Sequence, residues 1–454
     1  MTSAFNLFRL ADTPTLRLAD TLPERSTLHP PLSPHVSPAR TLRVILLCCL
    51  ITLPMCAADW PQWRGPHRDG HSSETNLLRE WPPNGPKLLW QVNDVGSGFS
   101  TPSIADGKIY LLGNHGLTNE FVLALSAQDG RRLWSVKLGK VGRPDQNPNY
   151  PGARSTPTVD GHLLYALGSD GDLVCLETAN GKQRWRKHLV ADFAGRPGDW
   201  AYAESPLLDG HALICTPGGT NATMLALNKL TGALIWKCPL PEADDAGYAS
   251  AVVAEFSGVR QYVQFLAQGL AGVEANTGHP LWRYARTAKG APGVAMTPIV
   301  SDGFIFNSTS FARGALIQPV RTNGVFVAEE IYYNPKLAFD MGGVVKVGDY
   351  LYGTSGPSTI CVEFKTGAIK WQERSKSLSW LAADGRLYVH ADDGNVALLE
   401  PNPEAYREKG RFMPPNRSAA RGDFTALTYP ALAGGRLYIR EFDSLWCYDV
   451  NAPR

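Results

Sequence analysis

Three charged residues, Arg154, Glu204 and Asp340, each stand just ahead of a short apolar run. Phe99, Tyr202, Tyr248, Met296, Trp380 and Tyr429 hold the same relative position elsewhere in the chain. A fold that gathered these positions into one ring would make an aromatic mouth with few charges, suited to a planar or elongated ligand. Arg154 would take an anionic group there, and Glu204 a cation or a hydroxyl. Arg154, Tyr202, Glu204, Tyr248 and Trp380 are therefore the candidate binding residues. The competing expectation is that the aromatics plug the ring and that Arg154 pairs with Glu204, an ion pair that contributes little where water reaches it.

Other reactive patterns are absent from the sequence. There is no GxSxG, phosphate-binding glycine loop or HExxH. Asp392-Asp393-Gly394-Asn395 lacks the spacing and the distal Glu of a calcium loop and reads as a turn. None of the ten His forms a spaced metal motif. Beyond the leader, Cys175, Cys215, Cys238, Cys361 and Cys447 fall singly on strand-like runs, as buried free thiols do.

The elements that must position the ring are copies of one unit. In Ser155–Trp185 an apolar run from Pro157 meets Asp160-Gly161, a second run covers His162–Leu167, a third covers Leu173–Leu176, and Asn180-Gly181 leads to Trp185. Such dipeptides suit tight turns because Gly accepts positive φ and Asp or Asn tolerates it. The turn-plus-Trp ending recurs at Gly130…Trp134, Gly181…Trp185, Gly232…Trp236, Gly278…Trp282 and Gly367…Trp371, always four residues apart. Eight inner strands begin near Thr101, Thr156, Ser205, Ser250, Thr297, Gly343, Ser379 and Tyr429. Four short strands per unit, repeated at this period, predict an all-β, eight-bladed propeller of four-stranded antiparallel blades. Unit 5 has Ala328 where the Trp should stand, and unit 7 has only a looser run to Phe412. Unit 8 stops at Asp449 after three strands, and Lys87–Gln91 supplies the fourth, closing the ring without an open edge. Trp134, Trp185, Trp236, Trp282 and Trp371 are expected to dock between neighbouring blades.

The pattern from Ala226-Leu227 to Trp236 resembles the tryptophan-docking repeat of the pyrroloquinoline-quinone (PQQ) dehydrogenases and of their non-enzymatic relative, the lipoprotein BamB of outer-membrane protein assembly. The likeness covers residues 87–454. It implies either a binding or assembly scaffold with a protein partner or small ligand on its loop face, or a PQQ-dependent alcohol or sugar dehydrogenase. The dehydrogenase reading would need PQQ with Ca²⁺, Glu204 as a metal ligand and Asp340 as the base. The vicinal cysteine pair usual beside that cofactor occurs only as Cys48-Cys49, ahead of the repeats. The leading expectation is the non-catalytic scaffold, as a monomer; a carbohydrate-binding propeller using the ring aromatics is a third reading.

Composition sets the compartment. With 44 basic and 42 acidic residues and a net charge of +2 over 454 residues, the chain offers no field for nucleic acid. Residues 1–58 read as a leader ending in a secretory signal: Arg40 to Arg43, an apolar run Val44–Leu53, then Cys56-Ala57-Ala58. Cleavage after Ala58 would give a periplasmic protein beginning at Asp59. Leu53-Pro54-Met55-Cys56 is a poorer lipoprotein box, because Met55 is large. Residues 59–86, with Trp60, Trp63 and Trp81, are expected to lie as a strap on the propeller.

Overall fold

The computed structural model describes residues 59–146, 151–241, 244–375, 377–418 and 428–453, together with the backbone but not the side chains of 340 and 342. The leader, its signal and Cys56 lie outside the described residues. Eight sheets follow one another along the chain. Blade 2 shows the pattern: Thr158–Asp160, Leu163–Leu167, Asp172–Glu177 and Gln183–His188, each antiparallel to the next. The inner strands of the other blades are Ser103–Ala105, Leu207–Asp209, Val252–Phe256, Ile299–Ser301, Phe339–Val347, Ser379–Ala383 and Ala431–Ala433; seven of the eight begin within two residues of the expected starts, and that of blade 6 begins earlier, at Phe339, with a bulge before Val344. Lys87–Val92 completes blade 8 against Ser444–Asp449, with Lys87 opposite Asp449. Each neighbouring pair of blades shares a buried apolar cluster, so the core is itself a ring.

The turn and the tryptophan of the repeat are two halves of one inter-blade contact. Indole N–H groups donate across to the next blade: Trp134 to the Thr178 carbonyl (3.1 Å), Trp185 to Lys229 (2.8 Å), Trp236 to Ala275 (3.0 Å) and Trp371 to Asn402 (2.7 Å). Trp90, on the ring-closing strand, does the same to Ala127 (3.3 Å). Three residues after the acceptor in four of these pairs stands the turn glycine: Gly130, Gly181, Gly232 or Gly278. Its φ lies between 69° and 74°, and a Cβ there would come within 2.5–2.9 Å of the indole. Glycine is needed both for the left-handed backbone and for the space. In six blades the tryptophan faces a small residue of the third strand: Ala124, Cys175, Ala226, Gly272, Cys361 or Cys447. Three of the five lone cysteines thus serve as small apolar residues beneath an indole.

Blade 5 departs from the repeat. Ala328 does not take the place of the missing tryptophan; Tyr332 does, packing on Gly367 and donating to the Phe364 carbonyl at 3.0 Å. Four extra residues separate the turn from the docking position because the hairpin Arg313–Thr322/Val325–Asn334 is longer than the others. That length carries Gly324 away from blade 4. Trp282, though buried between blades 4 and 5, therefore turns its N–H to Gln261 of its own blade (2.7 Å).

Segments that the sequence leads one to expect as loops, Gly113–Glu120, Ser135–Arg154, Arg186–Glu204, Asn307–Gly314 and Glu400–Thr428, are partly strand, because pairing continues past the turn-forming residues. Strands run on to Gly139, His188, His115 and Thr309, and Glu408–Phe412 lies inside the long connection after Glu400. A one-turn helix, Leu189–Phe193, follows blade 2, with the His188 ring accepting from the Ala191 N–H.

Residues 59–81 lie on the face of the Asp-Gly turns. Trp60 exchanges backbone hydrogen bonds with Ile104 of blade 1, Pro61 accepts from Val159 of blade 2, and His71–Ser72 pairs with Ala382–Ala383 of blade 7. From there Trp63, Arg64 and Arg68 reach into the channel, to Thr297, to the Val344 carbonyl, and to the Ser205 and Pro206 carbonyls. Where the ring closes, Arg440 of blade 8 is fully buried and donates to the carbonyls of Gly96, Ser100, Leu112 and Phe442.

The docking contact fixes the expected energetics. Trp236→Ala should cost about 3–5 kcal/mol, as large core truncations do. Tyr332→Ala should cost a similar amount, whereas Ala328→Gly should cost about 1 kcal/mol or less. Urea unfolding of the three variants measures this; equal losses at 328 and 332 would refute the docking role of Tyr332.

Candidate functional site

With the strap on the turn face, the channel mouth on the opposite face is the place where a ligand can enter. The expected ring is gathered only in part. Phe99, Arg154 and Tyr248 form one sector. The Arg154 guanidinium lies over the Phe99 ring at 5.9 Å and donates to Gln146 Oε1 (2.7 Å) and the Gly152 carbonyl (3.2 Å). Burial lowers Arg154 to about 10, opposed by the nearby Glu120 and by Tyr248. The Tyr248 hydroxyl accepts from the Trp200 N–H at 3.1 Å, and the two rings sit 5.5 Å apart. Beside them a small cleft of about 100 Å³ is lined by Asp199, Asp245, Tyr248 and the backbone of Gly198, Gly247 and Gly293. The cleft can hold a small polar ligand through Tyr248 and Asp199; Asp245 is paired with Arg196 at 2.9 Å, and Arg154 is outside the lining.

The remaining ring residues serve the blades. Tyr202 is buried between blades 2 and 3 with its hydroxyl on the Pro217 carbonyl (2.8 Å). Trp380 is buried between blades 6 and 7 and donates to Thr354 Oγ1 (2.9 Å). Met296 lies in the cluster between blades 5 and 6. Tyr429 meets the strap instead, edge-on to Trp63 at 4.7 Å. Asp340 falls on the inner strand of blade 6, and its side chain is outside the described residues.

The ion pair expected between Arg154 and Glu204 is replaced by two separate arrangements. Glu204 is only 3 % exposed; it accepts from the Thr216 N–H and from Gln264 Nε2 (3.2 Å), which stands on blade 4. Its nearby cation is Arg68 of the strap, itself 3 % exposed. Burial pushes Glu204 up to about 7, and lowers Arg68 to about 10. Arg154 has Glu120 in its field. Both carboxylate oxygens of Glu120 accept from the Ser169 N–H (3.0 and 3.2 Å), and Oε2 also takes the Ser169 hydroxyl. Burial pushes Glu120 up to about 7 as well. Sequence spacing gave no sign of Arg68 or Glu120. A buried acid at the start of an apolar strand, as in Glu120-Phe121-Val122, was the one available signal.

The donors do not fit PQQ with Ca²⁺. Calcium needs six to eight oxygens, and Glu204 faces an amide N–H, a glutamine N–H and a guanidinium instead. The described cysteines are separate, buried and free. Elsewhere Asp170, Asp172 and His188 approach one another, but Arg186 holds Asp172 at 2.5 Å and Lys140 lies 3.7 Å from Asp170, so cations already occupy the cluster.

The raised carboxyls set a pH dependence. Each binds a proton more tightly folded than unfolded, so its contribution is complete below the unfolded value near 4.5 and is lost as pH rises through about 7. Stability should fall between pH 4.5 and 7.5, by on the order of 2 kcal/mol per carboxyl. Glu120→Gln and Glu204→Gln should each flatten the fall. Unfolding midpoints against pH measure it; a rise across this window in the wild type would overturn the assignment.

Comparison with known proteins agrees with this architecture. The family model described as outer membrane protein assembly factor BamB matches residues 118–373, more than half of the chain. BamB of Kangiella koreensis is 25% identical over 203 residues, covering 43% of this chain and 45% of that protein. The serine/threonine-protein kinase AfsK of Streptomyces griseus is 29% identical over 164 residues, covering 35% and 18%. The matched segments thus span less than half of these relatives' length. Among solved structures, BamB from Moraxella catarrhalis superposes with a TM-score of 0.55 at 13% identity, covering 80% of this chain and 99% of that one. A quinohemoprotein alcohol dehydrogenase from Pseudomonas putida gives 0.55 at 13%, covering 87% and 81%. These last two likenesses are of fold. The extent of the family match, on eight blades built from the docking repeat, places this chain in the PQQ-repeat family of outer membrane protein assembly factor BamB.

Proposed function

We propose that this chain is an exported, non-catalytic propeller that binds a protein partner on its loop face, in the manner of an outer-membrane assembly factor. The observation that carries the proposal is the use of Glu120 and Glu204. Each joins two blades, Glu120 by accepting from Ser169 and Glu204 through Gln264, so neither is spent on substrate. What the mouth presents instead is recognition chemistry: Tyr248 and the acids Asp199 and Asp245, with Trp200 packed on Tyr248. Export follows from the signal ahead of Asp59, and we assign the periplasm as the compartment and a monomer as the working form. Cys56 is the residue that would carry a lipid.

Deletion of the gene should lower the abundance of outer-membrane β-barrel proteins. The mature protein from the periplasm should have the mass expected for a chain starting at Asp59, or at Cys56 with a lipid. Purified protein given PQQ and Ca²⁺ should show no quinone absorbance change and no dye-linked alcohol oxidation. Stoichiometric PQQ binding with turnover would replace this reading with the dehydrogenase.

A further inference from the structure

The outer strand of a blade is an open edge, and most blades here spoil theirs early. In blades 1, 2, 3, 4 and 6 the pairing of the outer strand shifts register after its first paired residue, just before the docking tryptophan. Such bulges discourage a further strand from adding. Blade 5 differs. Its outer strand pairs without interruption from Val325, opposite Thr322, to Glu330, opposite Ile317, and only then bulges. Those six residues end the sheet, and among the described residues no strand pairs beyond them.

This uninterrupted stretch is also apolar outward. Val325 is 63% exposed, Val327 51%, and Ile331 at the bulge 43%. The opposite side is already used: Phe326 is buried in the cluster between blades 4 and 5, and Glu330 is held by Arg286 (2.6 Å) and the Tyr284 hydroxyl (2.5 Å). Glu329, exposed between Val327 and Ile331, has no cation paired with it among the described residues. At the Asn323-Gly324 tip the residues are exposed, and a Cβ on Gly324 would meet nothing within 4 Å. Unpaired backbone groups, β-branched side chains and one unmatched carboxylate together specify an occupant.

We propose that the outer edge of blade 5, Val325–Glu330, is a strand-addition site for an extended partner segment that alternates apolar residues and places a Lys or Arg against Glu329. Backbone hydrogen bonds would supply the affinity and the side chains the register. The proposal deepens the protein-binding reading and rests on it, but its test needs only purified protein, so it can fail without touching the assembly role.

The probe is a fluorescein-labelled, blocked heptapeptide alternating Val with Thr and carrying one central Lys. It is compared with the same peptide bearing Glu in place of Lys, and with a version N-methylated at alternate amides. The Lys peptide should bind, the N-methylated one at least tenfold more weakly, and hydrogen exchange of the Val325–Ile331 amides should slow on binding. Glu329→Lys, with unchanged melting, should move the preference to the Glu peptide; Val327→Lys should weaken binding of the Lys peptide. Equal binding of the N-methylated peptide, or a preference unmoved by Glu329→Lys, would overturn the proposal. So would a concentration-dependent dimer that Val327→Lys dissociates, since the edge would then belong to a second copy of this chain.

Discussion

The ring rests on an aromatic ring of one blade seated over a turn glycine of the next. The contact joins three requirements that no single blade can meet. The indole needs an acceptor for its N–H, the turn needs a residue at positive φ, and the large ring needs a place without a Cβ. Trp236 over Gly278, with its N–H on the Ala275 carbonyl, satisfies all three at once. Because acceptor and glycine lie three residues apart in the same turn, the contact also fixes the angle between blades. Repeated around the ring, it leaves the inner strands nowhere to go but the channel wall.

That geometry governs which polar groups can be functional. Where neighbouring blades meet, backbone groups at strand ends take buried ionisable side chains as partners. Arg440 gathers four carbonyls where the ring closes, Glu120 takes the donors of Ser169, and Glu204 those of Thr216 and Gln264. Burying such groups is costly unless hydrogen bonds compensate; Arg440 gathers four, while Glu120 and Glu204 are still pushed up to about 7 by burial. Under the function proposed above, recognition is left to the loop face and to the blade rims.

The blades were legible in the sequence because the docking contact is local in pattern: a Gly and a Trp four residues apart reveal five of the eight outer strands, and the pairing of Lys87–Gln91 with the last unit follows from counting strands. Tyr332 was not legible, since the lengthened hairpin of blade 5 moves the docking position and only a structure shows which aromatic reaches Gly367. The site was less legible than the fold. Position ahead of an inner strand singled out Phe99, Arg154 and Tyr248, which lie near one another, but it could not tell them from Tyr202 and Trp380, whose hydroxyl and indole find partners inside their own interfaces. Glu204 was visible and its partner was not, because Arg68 arrives from a strap far away in sequence.

The strand Lys87–Val92 precedes every other strand of the propeller, yet its partner Ser444–Asp449 is made last. During synthesis or export from the N-terminus, the first strand of the ring must wait unpaired until nearly the whole chain has emerged. The interim species has two open blade ends, those of blades 1 and 8, and carries exposed Leu88 and Trp90 on the waiting segment. Completion is then a single late event that converts a linear stack into a closed one, and the long loop it closes costs little more entropy than a shorter one would. A truncation at either terminus should therefore be felt at the same seam, and a chain stalled before residue 444 is an arc with sticky ends rather than a smaller propeller.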